Sequence, residues 1–279
     1  MRITKRFRFS ASHRYYVSGW TEDKNREVFG KCTHIHGHNY TLDVTVEGAV
    51  DPVTGMVMNL SDLKKGVLRV LEDFDHRYLN EEVPEFREKL PTTENLAIVL
   101  WNRIATILPS NVRLAKIRLE ETEDLYVEYD GPEQDSGNPE PTLVRRYRFS
   151  AAHRLHSPQL DENANQALYG KCNNPYGHGH DYTVIVGVKG PLNALGMVLS
   201  LQEMDLNVKQ VLDPLDHRWL DKEIPFFSKI PATTENLLTY LCHKLRGKLR
   251  NLAILKIEET PSNFFELGGE QECPPIPNS

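Results

Sequence analysis

The 279-residue sequence has no apolar run long enough to span a bilayer, and its N-terminus, MRITKRFRFSASH, lacks the apolar stretch of a secretory signal. Both absences point to a cytoplasmic protein without a membrane partner. There is no long basic run, and the formal net charge is −6, so little is available to neutralise a phosphate backbone and nucleic acid is excluded as a partner. Cysteine is scarce, with four in the chain. In this context they read as thiols rather than bridges: Cys32 and Cys172 belong to matched motifs, Cys242 to the core and Cys273 to the tail. The charged and apolar fractions, 26% and 39%, are those of a globular protein, which excludes a disordered or fibrous chain.

What the chain does have is a repeat. GKCTHIHGHNY (Gly30–Tyr40) returns as GKCNNPYGHGHDY (Gly170–Tyr182), and FSASHR (Phe9–Arg14) returns as FSAAHR (Phe149–Arg154). The offset is 140 residues from His13 to His153 and from Cys32 to Cys172, and 141 from Asp75 to Asp216. A period that long is a duplicated domain and not a solenoid unit. The expected domains are 1–130 and 143–269, joined by a linker, 131–142, in the Pro-, Gly- and acid-rich stretch Asp130–Thr142. A proline-rich tail, 270–279, is expected to be poorly ordered.

Within the first copy, alternation predicts strands over Arg2–Ser12 and Tyr40–Glu47, with the polar stretch Tyr15–Val28 as a loop over the site. Leu60, Leu63, Val67, Leu71 and Phe74 recur at helical spacing. A second helix begins at PTTEN, where Thr92 or Thr93 caps the first turn and Glu94 or Asn95 meets the positive end of the helix dipole. Strands follow at Ala115–Glu121 and Leu125–Tyr129, and the second copy repeats the order from Val144. The fold class is α+β: two ββααββ domains, each an antiparallel sheet with two helices.

On a strand, residues i and i+2 share a face, so His36 with His38, and His178 with His180, can reach one metal ion. His13 and His153, on the neighbouring strands, offer a third imidazole to each. Three histidines without a fourth protein ligand is the pattern of a catalytic zinc that keeps a position open. A lone histidine is more often packing, but eight of the eleven fall at matched positions of the two copies, which packing does not require. Cys32 with Asp75 and His76, and Cys172 with Asp216 and His217, are candidate proton-transfer triads. Glu121 and Glu259, near the end of each copy, can accept paired hydrogen bonds from an aminopyrimidine ring, and PTTEN with its second form ATTEN adds Thr92, Thr93, Thr233 and Thr234 as substrate contacts.

The motifs FSASHR, GKC…HGHNY, GMVMNL, FDHR, PTTENL and LEETE, with their second forms FSAAHR, GKCNNPYGHGHDY, GMVLSL, LDHR, ATTENL and IEETP, resemble the 6-pyruvoyl-tetrahydropterin synthase and 6-carboxytetrahydropterin synthase family. The resemblance spans nearly the whole chain except linker and tail. It implies the tunnelling fold, whose sheets join as a barrel on oligomerisation, and 7,8-dihydroneopterin triphosphate as substrate. Zn2+ would hold the side-chain hydroxyls, the cysteine with its Asp–His pair would move protons, and Glu121 or Glu259 would anchor the pterin. Two copies per chain imply a homotrimer forming a pseudo-hexamer with shared active sites.

The copies differ in one informative place. Five residues separate Cys172 from His178, as in pyruvoyl-forming enzymes, and three separate Cys32 from His36, as in the carboxy-forming enzymes of the queuosine route. The shorter spacing adds His34 as an imidazole that could compete as ligand. Nothing in the sequence marks a biopterin-using organism, which puts the carboxy-forming lyase ahead of the pyruvoyl-forming one. A pterin- or zinc-binding protein without turnover is the contrasting class.

Overall fold

The computed structural model describes residues 1–132, 137–267 and 272–276. The remaining linker and tail positions lie outside the described residues. The chain divides into two compact units: Met1–Val144 together with Lys189–Gln202, and Arg145–Val188 together with Glu203–Ser279.

The first unit runs β1 (Arg2–His13), α1 (Glu22–Phe29), β2 (His36–Gly48), α2 (Leu60–Leu71), β3 (Arg77–Tyr78), α3 (Leu79–Glu82), α4 (Thr93–Ala105), β4 (Val112–Thr122) and β5 (Leu125–Tyr129). Its strands lie in the order β3-β1-β2-β4-β5. All neighbours are antiparallel except the short β1–β3 pair. Alternation is visible along β2, where Tyr40, Leu42, Val44 and Val46 are buried and the residues between them are not. Helices α2 and α4 pack over this face through Leu63, Val67, Leu96, Leu100 and Ile104, all fully buried. Each such side chain contributes about 1.5–3 kcal/mol of burial free energy. The caps are local: Asn59 Oδ1 accepts from Ser61 N at 2.8 Å, and Thr92 Oγ1 accepts from Asn95 N at 3.1 Å.

The second unit repeats this with β6 (Thr142–His153), α5 (Glu162–Tyr169), β7 (His178–Lys189), α6 (Leu201–Leu212), β8 (Arg218–Trp219), α7 (Leu220–Glu223), α8 (Thr234–Arg246), β9 (Leu252–Thr260) and β10 (Asn263–Leu267). Here β7, β9 and β10 pair antiparallel in turn, β6 flanks β7, and β8 pairs parallel with β6.

Two expectations are corrected. The stretch Tyr15–Val28 is not all loop: Thr21 caps α1 by accepting from Lys24 N at 3.3 Å, and the fully buried Asn25 ties the helix to Val17 N and O. Nor are all four cysteines thiols, because Cys242 on α8 and Cys273 form a disulfide, with Cα atoms 5.7 Å apart. That bridge holds the part of the tail around Cys273 against α8, where His243 Nε2 also meets Pro274 O at 2.8 Å.

Candidate metal and pterin site

The β1–β2 register sets His13 directly opposite His36, and His38 two residues further on along the same face. His13, His36 and His38 form one cluster and His153, His178 and His180 another, each with ligand atoms within 4.8 Å of one another. His13 Nδ1 meets Pro91 O at 2.9 Å and His153 Nδ1 meets Ala232 O at 2.7 Å. A carbonyl can only accept, so each Nδ1 carries the proton and each Nε2 presents a lone pair to the cluster. His13 Nε2 and His38 Nε2 are buried without a hydrogen-bond partner, and His153 Nε2 lies 3.1 Å from His178 Nε2. Converging imidazole nitrogens of this kind fit a metal cation. Burial lowers His13 to about 4 and also lowers His38, His153 and His178, so these rings stay in the neutral form that ligates.

The different Cys–His spacing of the two copies is absorbed before the strand. Asn174-Pro175-Tyr176-Gly177 closes a turn, with Gly177 N donating to Asn174 O at 2.8 Å and Gly177 at φ 67°, and His178 then starts β7 as His36 starts β2. His34 stays outside the first cluster, its carbonyl meeting His36 Nδ1 at 2.8 Å.

A glutamate closes each cluster. Glu121 Oε1 lies 3.5 Å from His38 Nε2, and Glu259 Oε1 lies 3.8 Å from His180 Nε2. Thr93 donates to Glu121 and Thr234 to Glu259, both at 2.6 Å. Thr92 and Thr233 instead serve as helix caps through Asn95 N and Asn236 N.

The Cys–Asp–His sets are not brought together within a unit. Cys32 packs with Tyr15 and Phe29, and Tyr15 N donates to Cys32 O at 2.7 Å. Asp75 takes Ser10 N at 2.8 Å and lies 3.0 Å from His76 Nδ1, which pulls its carboxyl below the usual range, Ser10 N–H first. His76 lines a shallow depression with Ser10, Ser12, Gly37 and Asn39. These residues alternate with Ala11, His13, His36 and His38, so the Asp–His pair is on the opposite face of the sheet from the histidine cluster. In the second unit His217 sits likewise beside Ser150, Ala152, Gly179 and Asp181, with Asp216 3.0 Å away. His76 and His217 both take left-handed φ, 59° and 56°, held by N–H donation to Ser10 O and Ser150 O at 2.6 Å each.

Sequence reasoning gave Glu94 only a helix-dipole role and passed over the phenols of Tyr40 and Tyr182. Glu94 is buried, accepts from Val198 N at 3.1 Å, and is pushed up to about 7 by that burial. Its signal was the TTEN motif, which reads equally well as a helix start. Tyr40 and Tyr182 keep their hydroxyls buried without a partner beneath the histidines, and burial raises both.

The family model described as 6-pyruvoyl tetrahydropterin synthase matches residues 2–132 and again 142–270. The chain belongs to this family, in tandem. A 6-pyruvoyl tetrahydrobiopterin synthase from Drosophila melanogaster is 45% identical over 139 residues, spanning 48% of this chain and 83% of that protein. A relative from Archaeoglobus fulgidus that carries the name "Putative 6-carboxy-5,6,7,8-tetrahydropterin synthase" is 35% identical over 98 residues, 35% of this chain and 77% of that protein. The solved 6-pyruvoyl tetrahydropterin synthase of Caenorhabditis elegans is 41% identical, covering 48% of this chain and 98% of its own, with a TM-score of 0.46. Within this tandem family member no helix among the described residues is long and apolar enough to cross a membrane.

Proposed function

We propose that this tandem family member is a zinc-dependent lyase acting on 7,8-dihydroneopterin triphosphate. The observation that carries the reading is the recurrence, in both units, of three converging imidazoles beside a threonine-bound glutamate. His13, His36 and His38 would hold one Zn2+, and His153, His178 and His180 the other. Bound there, zinc supplies a Lewis acid that acidifies a neighbouring hydroxyl or C–H bond. Glu121 and Glu259 orient the substrate by accepting the adjacent N–H and NH₂ of its aminopyrimidine ring, and Thr93 and Thr234 fix those carboxylates. Cys32 and Cys172 move the proton. Asp75–His76 and Asp216–His217 open onto the other sheet face, so a triad with cysteine would draw its two parts from different copies of the fold in the assembled protein.

The pyruvoyl-forming reaction, loss of triphosphate alone, is favoured by the name of the 45% identical relative and by the five-residue spacing from Cys172 to His178. The carboxy-forming reaction, which also releases acetaldehyde, has the three-residue spacing of the first copy and the archaeal relative in its support. Incubation of the zinc-loaded chain with dihydroneopterin triphosphate and mass analysis of the product separates them, and absence of both products overturns the lyase reading. His36→Ala and His178→Ala should each lower bound zinc by about half, because each removes one of three ligands from one of two sites. Replacing Cys32 and Cys172 together by alanine should abolish turnover with zinc retained. Light scattering reads the number of assembled chains, three by the family resemblance.

A further inference from the structure

Helices α2 and α4 of the first unit border a cavity of about 590 Å³, within the range of about 300–1,000 Å³ that holds small ligands. Val70 and Val99, each 9% exposed, give it an apolar floor. Arg69, Asp73, Asn102 and Thr106 also line it and are exposed. At one end Ile107 lies over Gly66, where an added Cβ would come within 2.6 Å of the isoleucine Cδ1. None of these residues belongs to the histidine clusters or to the carboxylates beside them.

The second copy carries rings at the equivalent positions. An offset of 141 takes Glu85 to Phe226, Val99 to Tyr240, Arg69 to Gln210, Asn102 to His243 and Ile107 to Lys248. The Phe226 and Tyr240 rings meet edge to face, with centroids 5.1 Å apart. Lys248 Nζ donates to Gln210 Oε1 at 2.6 Å, which ties the end of α8 to α6, and His243 Nε2 meets Pro274 O at 2.8 Å. The first copy has valine for the tyrosine, glutamate for the phenylalanine, and an isoleucine that cannot form the bridge. Its groove is open where the second copy places its own rings.

The charges around the groove are arranged for a ligand that carries both signs. Arg103 donates to the two oxygens of Glu85 at 2.9 and 2.7 Å and to Asp73 Oδ2 at 2.7 Å, which fixes both acids at the rim. Asp73, its side chain 68% exposed, spends one oxygen on this and can offer the other to an ammonium group. Arg69, in the last turn of α2, enters no ion pair among the described residues. We propose that this groove binds a small zwitterion with an aromatic ring, of the class of the free aromatic amino acids. The ring lies on Val70 and Val99, where the second copy seats Tyr240, while Arg69 takes the carboxylate and Asp73 the ammonium group. There is one such site per chain, because Phe226 and Tyr240 hold the equivalent place in the second unit.

Equilibrium dialysis of the full chain against labelled L-phenylalanine should give saturable binding with one site per chain. Val99→Tyr, which installs the residue the second copy carries there, should abolish it. Arg69→Gln, again the second copy's residue and at an exposed position, tests the site without touching the core. It should weaken L-phenylalanine binding by about tenfold, the effect of losing a charge-assisted hydrogen bond. Phenethylamine, which has the ring and the ammonium group without the carboxylate, should bind the parent and the Arg69→Gln chain equally. No saturable binding, two sites per chain, parental affinity for L-phenylalanine in either variant, or a loss of phenethylamine binding in Arg69→Gln overturns the proposal. None of these readouts depends on turnover or on zinc, so the lyase reading stands or falls separately.

Discussion

Thr93 donates its hydroxyl to Glu121 at 2.6 Å, and the carboxylate so held lies 3.5 Å from His38 Nε2. The helix start and the strand end are thereby joined at the histidine cluster. A buried carboxylate stripped of its donor carries a desolvation cost of about 1–3 kcal/mol. Thr93→Val, which keeps the shape and removes the hydroxyl, should destabilise the chain by about that amount in urea unfolding. Bound zinc should be unchanged, because no ligand is touched, and the KM for dihydroneopterin triphosphate should rise more than kcat falls. Loss of zinc from this variant would show that the threonine supports the ligands and not the glutamate.

Glu94 sets a pH dependence. Burial raises its carboxyl from an ordinary 4.5 to about 7, so the folded chain binds this proton more tightly than the unfolded chain. The stability it contributes is full below about 4.5 and is lost as pH rises through about 7. The shift corresponds to about 3 kcal/mol. Glu94→Gln keeps an acceptor for Val198 N and cannot ionise. Its stability relative to the parent should therefore grow by about that amount between pH 4.5 and pH 8, measured by urea unfolding at each pH. A difference that stays flat over this range would contradict the assignment.

Cys242 and Cys273 close a loop with a sequence separation of 31, for which chain entropy in the unfolded state gives about 3–4 kcal/mol. Cys273→Ser should lower the unfolding free energy of the second unit by up to about that amount. Titration of the unreduced, unfolded parent should count two thiols, those of Cys32 and Cys172. Four thiols would show that the bridge does not form in the purified protein.

Much of the candidate site was legible because its geometry is local. The His-x-His pairs share a face through the period of a strand, and the matched copies exposed His13 and His153 as their companions. TTEN was legible as a helix start for the same reason, since a cap is satisfied within three residues. The helix α1 was missed because its stretch is polar, and it is anchored by Asn25 reaching back to Val17 rather than by an apolar stripe.

The sequence by itself determined the duplication, the order of the four main strands and two long helices in each copy, and the two imidazole clusters, all of which follow from spacing along the chain. Only the tertiary structure decided that Cys32 and Asp75–His76 open onto opposite faces of one sheet, that Cys273 returns to Cys242, and that Gly196–Val198 covers Glu94. Those relationships join residues far apart in the chain. They depend on which surfaces meet through space, and no local period or cap records that.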